Sequence, residues 1–508
     1  MVENGKILIG INGAKAYLEP SMANRHGLIT GASGTGKTTT VKVMAESLSM
    51  MGVPVFLSDV KGDLGGVCLS GEDTKMVRDR CALLGFREYT LTSFPTCFWD
   101  VYGENGVAVR TTISDMGPML LSKIMNLTEV QQSVLNVVFR IADDEGLLLI
   151  DVKDLDSMLQ YAIKNRAEYS ELYGGMSAQS LNAIRRQLLT LEEQGGDVFF
   201  GEPALDIFDW MRVDASGRGY INILDCVRLY RNPALYAAFL LFLLSELFER
   251  LPEAGDLDKP KIAFFFDEAH LLFSDANKIL TQKIEQMAKL IRSKGVGVYF
   301  ITQSPGDLPD CVLSQLSNRV QHALRAYTPA DQRAVRAAAD AFRVNPAFDA
   351  REVIGQLGVG EALVSCLDAK GQPTPVERVW ILPPQSRAGV PSPEIIRHMI
   401  DISGMDDKYS TAIDRRSAYE HLTEQARLEQ REAVRRDMEK RARVEAEARE
   451  KERLRLEREM EREQKRRQAQ LEKAARPLKR VTDSALSGIG RQLGRELVRG
   501  LFSTSKRW

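Results

Sequence analysis

The chain has 508 residues, 44% hydrophobic and 27% charged, with a formal net charge of −1. That length supports roughly two to four domains with large cores, and the neutral balance excludes a globally basic nucleic-acid coat, so any polymer contact must be local. Six cysteines (Cys68, Cys81, Cys97, Cys226, Cys311, Cys366) without a CxxC pair exclude a zinc ribbon and a disulfide framework and suit a reducing cytoplasm.

The start, "MVENGKILIG", has no basic region ahead of an apolar run, which predicts no signal peptide. Residues 1–103 alternate short apolar strands with helical stretches. "HGLIT" predicts a strand and "KTTTVKVMAESLSMMG" a helix closing at Gly52. Between and across them run Gly31, Ala32, Ser33, Gly34, Thr35, Gly36, Lys37, Thr38 and Thr39, which fit the pattern GxxxxGK[ST]. Glycines let such a loop turn its N–H groups onto phosphate oxygens, and the helix N-terminus adds its dipole. Lys37 then reaches the β- and γ-phosphates and Thr38 holds Mg²⁺. The alternative, a chance glycine turn, does not demand all four signature residues between a strand and a helix. "VPVFLSDVKGDL" predicts the next strand, ending at Asp59, whose carboxylate either joins the metal shell or caps the following turn.

Residues 104–256 read as a mainly helical insertion. Within it, "GLLLIDVKDL" places Asp151 behind an apolar run, but no Glu follows, and Asp154 reads as the N-cap of "LDSMLQYAI". The most apolar stretch, "ALYAAFLLFLLSELF" (234–248), contains Glu246 and is short for a bilayer, so a helix buried in a core is expected.

Residues 257–385 return to strand–helix alternation. "KIAFFFDEAHLLF" is a buried strand whose five apolar residues end at Asp267 and Glu268. A phosphate loop requires a second strand ending in a metal-holding acid. Asp267 fills that role, and Glu268 is placed to act as general base on an attacking water. "GVGVYFITQSP" predicts a further strand ending at Gln303, and with these strands one lies between the loop strand and the strand of Asp267. Gln303 then senses the γ-phosphate or the water, or is an ordinary strand-end polar residue. The added strand and the adjacent Glu268 point to a motor-type nucleoside triphosphatase rather than a small-molecule kinase. ATP and Mg²⁺ are the expected ligands.

Residues 386–412 read as a linker. Residues 413–478 are almost all Glu, Arg, Lys, Gln and Ala, with opposite charges three or four apart, which predicts a long charged helix of about 90 Å. Its apolar positions are sparse for a heptad seam, which favours a solvated helix over a coiled coil. In residues 479–508, Arg491, Arg495 and Arg499 face one way and Ile489, Leu493, Leu497 and Leu501 the other. Such a basic amphipathic helix packs on a protein partner or neighbouring subunit, or lies on a membrane or nucleic acid.

Together, "TGASGTGKTTT", "SDVKGDL", "FFFDEAHLLF", "LIRSKGVGVYFITQSP" and "VLSQLSNRVQHALRAYTPADQRAV" resemble the HerA/FtsK superfamily of hexameric ATPases, and within it the bacterial HerA-like proteins of uncharacterised role. The resemblance covers nearly the whole chain. It implies an α/β P-loop fold with a RecA-like core, a homo-oligomeric ring of six subunits, and ATP-driven work that in better-known relatives is translocation on DNA. Rings of this kind complete each site with an arginine from the neighbouring subunit. Arg292 matches by position the arginine ahead of the fourth strand in HerA-type proteins, and Arg319 matches where FtsK-type proteins place theirs. Either arginine could instead favour a helix C-terminus or form a surface ion pair. The competing reading of the whole chain is an ATP-gated assembly or scaffold protein that binds a protein partner and never translocates; a third is a membrane-associated ATPase recruited by its tail.

Overall fold

The computed structural model describes residues 1–273 and 278–489. Residues Met1–Thr423 form one compact unit and the residues from Glu424 onward another. Within the first, the described residues contain thirteen strands in one sheet: β1 (Val2–Glu3), β2 (Lys6–Asn12), β3 (Ala14–Leu18), β4 (Gly27–Thr30), β5 (Val55–Asp59), β6 (Thr96–Asp100), β7 (Val107–Ala108), β8 (Ile221–Asp225), β9 (Ile262–Phe266), β10 (Val296–Thr302), β11 (Asn318–Gln321), β12 (Glu361–Ser365) and β13 (Glu377–Ile381). Their order across the sheet is β1-β2-β13-β12-β11-β4-β10-β9-β5-β8-β6-β7, with β3 also on β2. From β11 to β7 every neighbouring pair is parallel. The β12, β13, β2 and β1 side is antiparallel.

The parallel strands read as unbroken apolar runs because both faces are covered. In β9, Phe264 and Phe266 enter one core and Phe265 the other. The helix Lys37–Met50 packs on the second face through Val41, Met44 and Leu48. The opposite face carries the helices of the central segment, among them Ile113–Ile124, Glu129–Asp144 and Pro233–Arg250. Pro233–Arg250 contains the most apolar stretch of the sequence, and Leu235, Phe239, Leu243 and Leu247 are fully buried in that core. Among the described residues, no helix is long and apolar enough to cross a membrane.

Two expectations are corrected here. The segment 104–256 is mainly helical, yet it also supplies β8, which pairs with β5 and β6 inside the main sheet. "YINILDC" is a short apolar strand whose membership only the pairing reveals. The N-cap of the helix Val152–Lys164 is Asp151, not Asp154. Asp154 sits at the third helical position, closes the capping box, and is buried accepting from Ile150 N–H, Ser417 Oγ and Tyr419 N–H.

The charged helix runs Ala418–Ile489, starting five residues later and ending eleven later than expected, about 108 Å at 1.5 Å per residue. Residues 424–474 are exposed, with i,i+4 ion pairs such as Glu432–Arg436 and Asp437–Arg441. The tail arginines Arg491, Arg495 and Arg499 lie outside the described residues.

Candidate nucleotide site

The parallel order brings four strand ends to one edge, where β4 has its helical crossover. The phosphate loop leaves β4, and the first helix begins at Lys37. β10 lies between β4 and β9, so Gln303, one residue past its end, stands exposed between the loop and Asp267–Glu268. β5 flanks β9 on the far side and brings Asp59 to the same edge.

The loop's shape depends on glycine at two crowded points. Gly31 has φ +153°, and a Cβ there would lie 2.5 Å from His322 Cβ. Gly36 has φ +111° and backs onto Gly360, whose Cα would be 3.2 Å from an added Cβ. The loop is tied to its neighbours by the Ala32 N–H bond to Ala323 O (2.9 Å) and the Gly360 N–H bond to Thr35 O (2.9 Å). Thr35 Oγ1 also donates to Ala32 O at 2.7 Å. Ser33 and Gly34 form the exposed tip, and Thr39 is half-buried in the first turn of the helix. His322 lies beneath the loop, fully buried, with Nε2 2.8 Å from Thr40 Oγ1 and Nδ1 3.1 Å from Glu361 O. Burial pulls its imidazole down to about 4, so it packs there as a neutral ring.

Lys37 is buried, and its ammonium donates to Gly31 O (2.6 Å) and Ala32 O (3.2 Å), the inner wall of the cradle. Burial lowers its affinity for a proton, Lys61 adds repulsion, and Glu268, Asp267 and Asp307 oppose both. Thr38 Oγ1 lies 3.4 Å from Asp63 Oδ2. The Asp63 Oδ1 oxygen is buried with no hydrogen-bond partner. The Asp267 N–H donates to Ser58 Oγ at 3.0 Å, which fixes where the strand ends. Burial raises the Asp267 carboxyl to about 6; Lys61 opposes the rise, while Glu268 and Asp63 add to it. Crowded oxygen donors with an orphaned carboxylate oxygen fit a hard divalent cation held jointly with phosphates. Among the described residues, no cluster of three or more His, Cys, Asp or Glu is placed to hold a metal ion.

Glu268 is a non-glycine residue at φ +46°, ψ +48°. That left-handed backbone is costly and is found where function over-determines geometry. Its carboxylate is buried. Oε1 is 2.5 Å from Lys61 Nζ and Oε2 is 3.3 Å from His270 Nδ1. Burial alone would raise the Glu268 carboxyl, but Lys61, His270 and Lys37 outweigh it and hold it below the usual value.

Asp59 resolves to the turn-capping role. It accepts from Gly62 N–H (2.7 Å), Asp63 N–H (3.1 Å) and Leu64 N–H (2.9 Å), shaping the loop that presents Lys61 and Asp63. Asp151 caps its helix away from the sheet, so Asp267 alone of the two stands at the strand-end edge.

The two arginines lie at the opposite edge. Arg292 belongs to the turn Ile291–Lys294 that precedes β10 and ends at Gly295 (φ +81°). It is half-buried, and its backbone oxygen accepts from Asn24 Nδ2. Arg319 is the second residue of β11, and its guanidinium donates to Leu316 O and Leu313 O, both at 3.1 Å. In the single chain those two bonds cap the preceding turn. Sequence reading missed His322, Asp63 and Gly360; only "SDVKGDL" carried a local signal, and His322 and Gly360 become neighbours of the loop through pairing across β11 and β12.

A doubly covered parallel sheet, with a GxxxxGK[ST] loop after one strand and an acid pair after another, defines an α/β P-loop nucleotide-binding protein. The chain belongs to the Helicase HerA-like C-terminal family, whose profile matches residues 6–507. It is 24% identical over 380 residues to the DNA double-strand break repair helicase HerA of Sulfolobus acidocaldarius, covering 70% of this chain and 65% of that protein. The HerA of Saccharolobus solfataricus is likewise 24% identical, over 369 residues (70% and 64%). The chain thus spans just under two thirds of the curated relatives it matches. Among solved structures, the bacterial conjugative coupling protein TrwB matches with a TM-score of 0.49 at 13% identity (75% of this chain, 90% of that one). VirB4 of Thermoanaerobacter pseudethanolicus matches with 0.46 at 16% identity (78% and 99%).

Proposed function

We propose that this chain is a Mg²⁺-dependent ATPase that works as a homo-oligomeric, six-membered ring and drives DNA translocation. The observation that carries the reading is the meeting of Lys37 and Thr38 with Asp267 and Glu268 at one sheet edge, in a chain of the HerA-like family. In this reading the loop N–H groups of residues 31–39 and Lys37 hold the triphosphate, and Thr38 and Asp267 hold Mg²⁺. The ion offsets charge on the phosphate oxygens. Glu268 orients a water and takes its proton, Gln303 aligns the water against the γ-phosphate, and Arg292 enters from the neighbouring subunit. The division into core segments 1–103 and 257–385, a helix-bearing segment 104–256, a linker 386–412, the charged helix and the tail belongs to the same proposal, as does a cytoplasmic location.

The test is the ATPase rate with single- and double-stranded DNA at low salt, with the ring confirmed by native mass. Stimulation by DNA is the expected result. Because the formal charge is −1, the slope of log affinity against log salt should be shallow, each phosphate contact contributing about −0.9. A confirmed ring that hydrolyses ATP yet neither retains DNA nor responds to it would promote the second reading, ATP-gated protein assembly. The exposed surface of residues 424–474 favours that reading, since it offers a long charged helix to a protein partner.

A further inference from the structure

One oxygen of the acid assigned to activate water is already occupied, while the other, Oε2, is buried without a hydrogen-bond partner. Lys61 Nζ sits 2.5 Å from Glu268 Oε1, so an ammonium holds an oxygen that a water proton would need. The pair is asymmetric: the Glu268 side chain is 8% exposed and that of Lys61 44%. The backbone around Lys61 is pinned, because Asp59 takes the next three N–H groups, but its four-carbon stem is free to swing. The charged groups around the pair are Lys37 from the loop helix, Asp267 and His270 from the β9 end, and Asp63 from the β5 loop. Lys37 and Glu268 act on each other electrostatically, so a γ-phosphate held by Lys37 arrives within the field of the Lys61–Glu268 pair.

We propose that Lys61 is a positioning residue that senses the γ-phosphate: without it Lys61 holds Glu268, and with it Lys61 turns to a phosphate oxygen and frees Glu268 for the water. This rests on the ATPase reading above. A carboxylate carries one negative charge and a terminal phosphate more, so the ammonium moves to the phosphate once both are in reach. ADP has no terminal group to compete, and with ADP bound Lys61 stays on Glu268. No bond forms or breaks at Lys61; it exchanges one charge-assisted hydrogen bond for another. The device keeps the base engaged whenever the site is empty or holds product.

The test is calorimetric binding of a non-hydrolysable ATP analogue and of ADP, each with Mg²⁺, to the full chain. Lys61→Met should lower the preference for the analogue over ADP by about 10- to 140-fold, the size of one hydrogen bond to a charged group. Lys61→Arg, which keeps the charge, should retain most of the preference. A Lys61→Met protein with the wild-type ratio and normal ADP affinity would overturn the proposal. Should Lys61→Met bind neither nucleotide, Glu268→Gln decides. Releasing Lys61 should tighten the analogue and leave ADP unchanged, and an unaltered ratio there would equally overturn it. Wild-type protein that binds neither nucleotide would sink the ATPase reading itself, a result distinct from any of these.

Discussion

Arg292 cannot serve the nucleotide site of its own chain. It precedes β10, and the seven residues Val296–Thr302 separate it from the phosphate-loop edge. At a rise of about 3.3 Å per residue that is roughly 20 Å, more than an arginine side chain spans. If Arg292 is catalytic, it acts across a subunit boundary, and the consequence can be counted. Arg292→Ala should cost roughly 10³- to 10⁵-fold in hydrolysis, and Glu268→Gln roughly 10²- to 10⁴-fold. In a head-to-tail ring, an interface in a 1:1 mixture is intact only when the Arg292→Ala subunit supplies Glu268 and its Glu268→Gln neighbour supplies Arg292. Random assembly makes about a quarter of the interfaces so. Independent sites would then return about a quarter of wild-type ATPase activity, orders of magnitude above either variant alone. The assay is steady-state phosphate release after co-refolding or subunit exchange, with mixed rings confirmed by native mass. Mixed rings no faster than the separate variants would refute action in trans. The same mixing with Arg319→Ala is then the next test, its guanidinium having first to leave the carbonyls of Leu313 and Leu316.

Glu268→Gln should still bind ATP, whereas Lys37→Ala should lose nucleotide affinity itself; single-turnover hydrolysis by Glu268→Gln at the wild-type rate would remove Glu268 as the base. Asp59 is raised from the ordinary 3.8 to about 7, burial being the first cause. A carboxyl raised in the folded state favours the protonated form, so its contribution to stability is fully present below about pH 4 and is lost as pH climbs towards 7. Asp59→Asn should therefore flatten the fall in stability over that window, and denaturation curves of equal slope for both proteins would contradict the assignment.

The phosphate loop, Lys37, Thr38, Asp267 and Glu268 were legible in the sequence because each is set by local chemistry. Glycines are needed where φ is positive, a lysine and a threonine open the helix, and an apolar run buried on both faces can end in acids only at its tip. That some strand stands between β4 and β9 was expected as well, but that it is β10 only the pairing shows. What the sequence left open concerned partners distant along the chain. Asp59 could hold metal or cap a turn until its three N–H bonds were seen. Arg292 and Arg319 were equivalent as letters, and only placement at the far edge and the carbonyls of Leu313 and Leu316 separate them. β8 hid in a helical neighbourhood because strand membership is decided by the hydrogen-bonding neighbour, 166 residues away at Val55–Ile221. Lys61, His322 and Gly360 reach the site by the same route. Local sequence determines backbone shape and burial, whereas a contact between a lysine and a glutamate 207 positions later (Lys61 to Glu268) exists only once the sheet has set β5 beside β9.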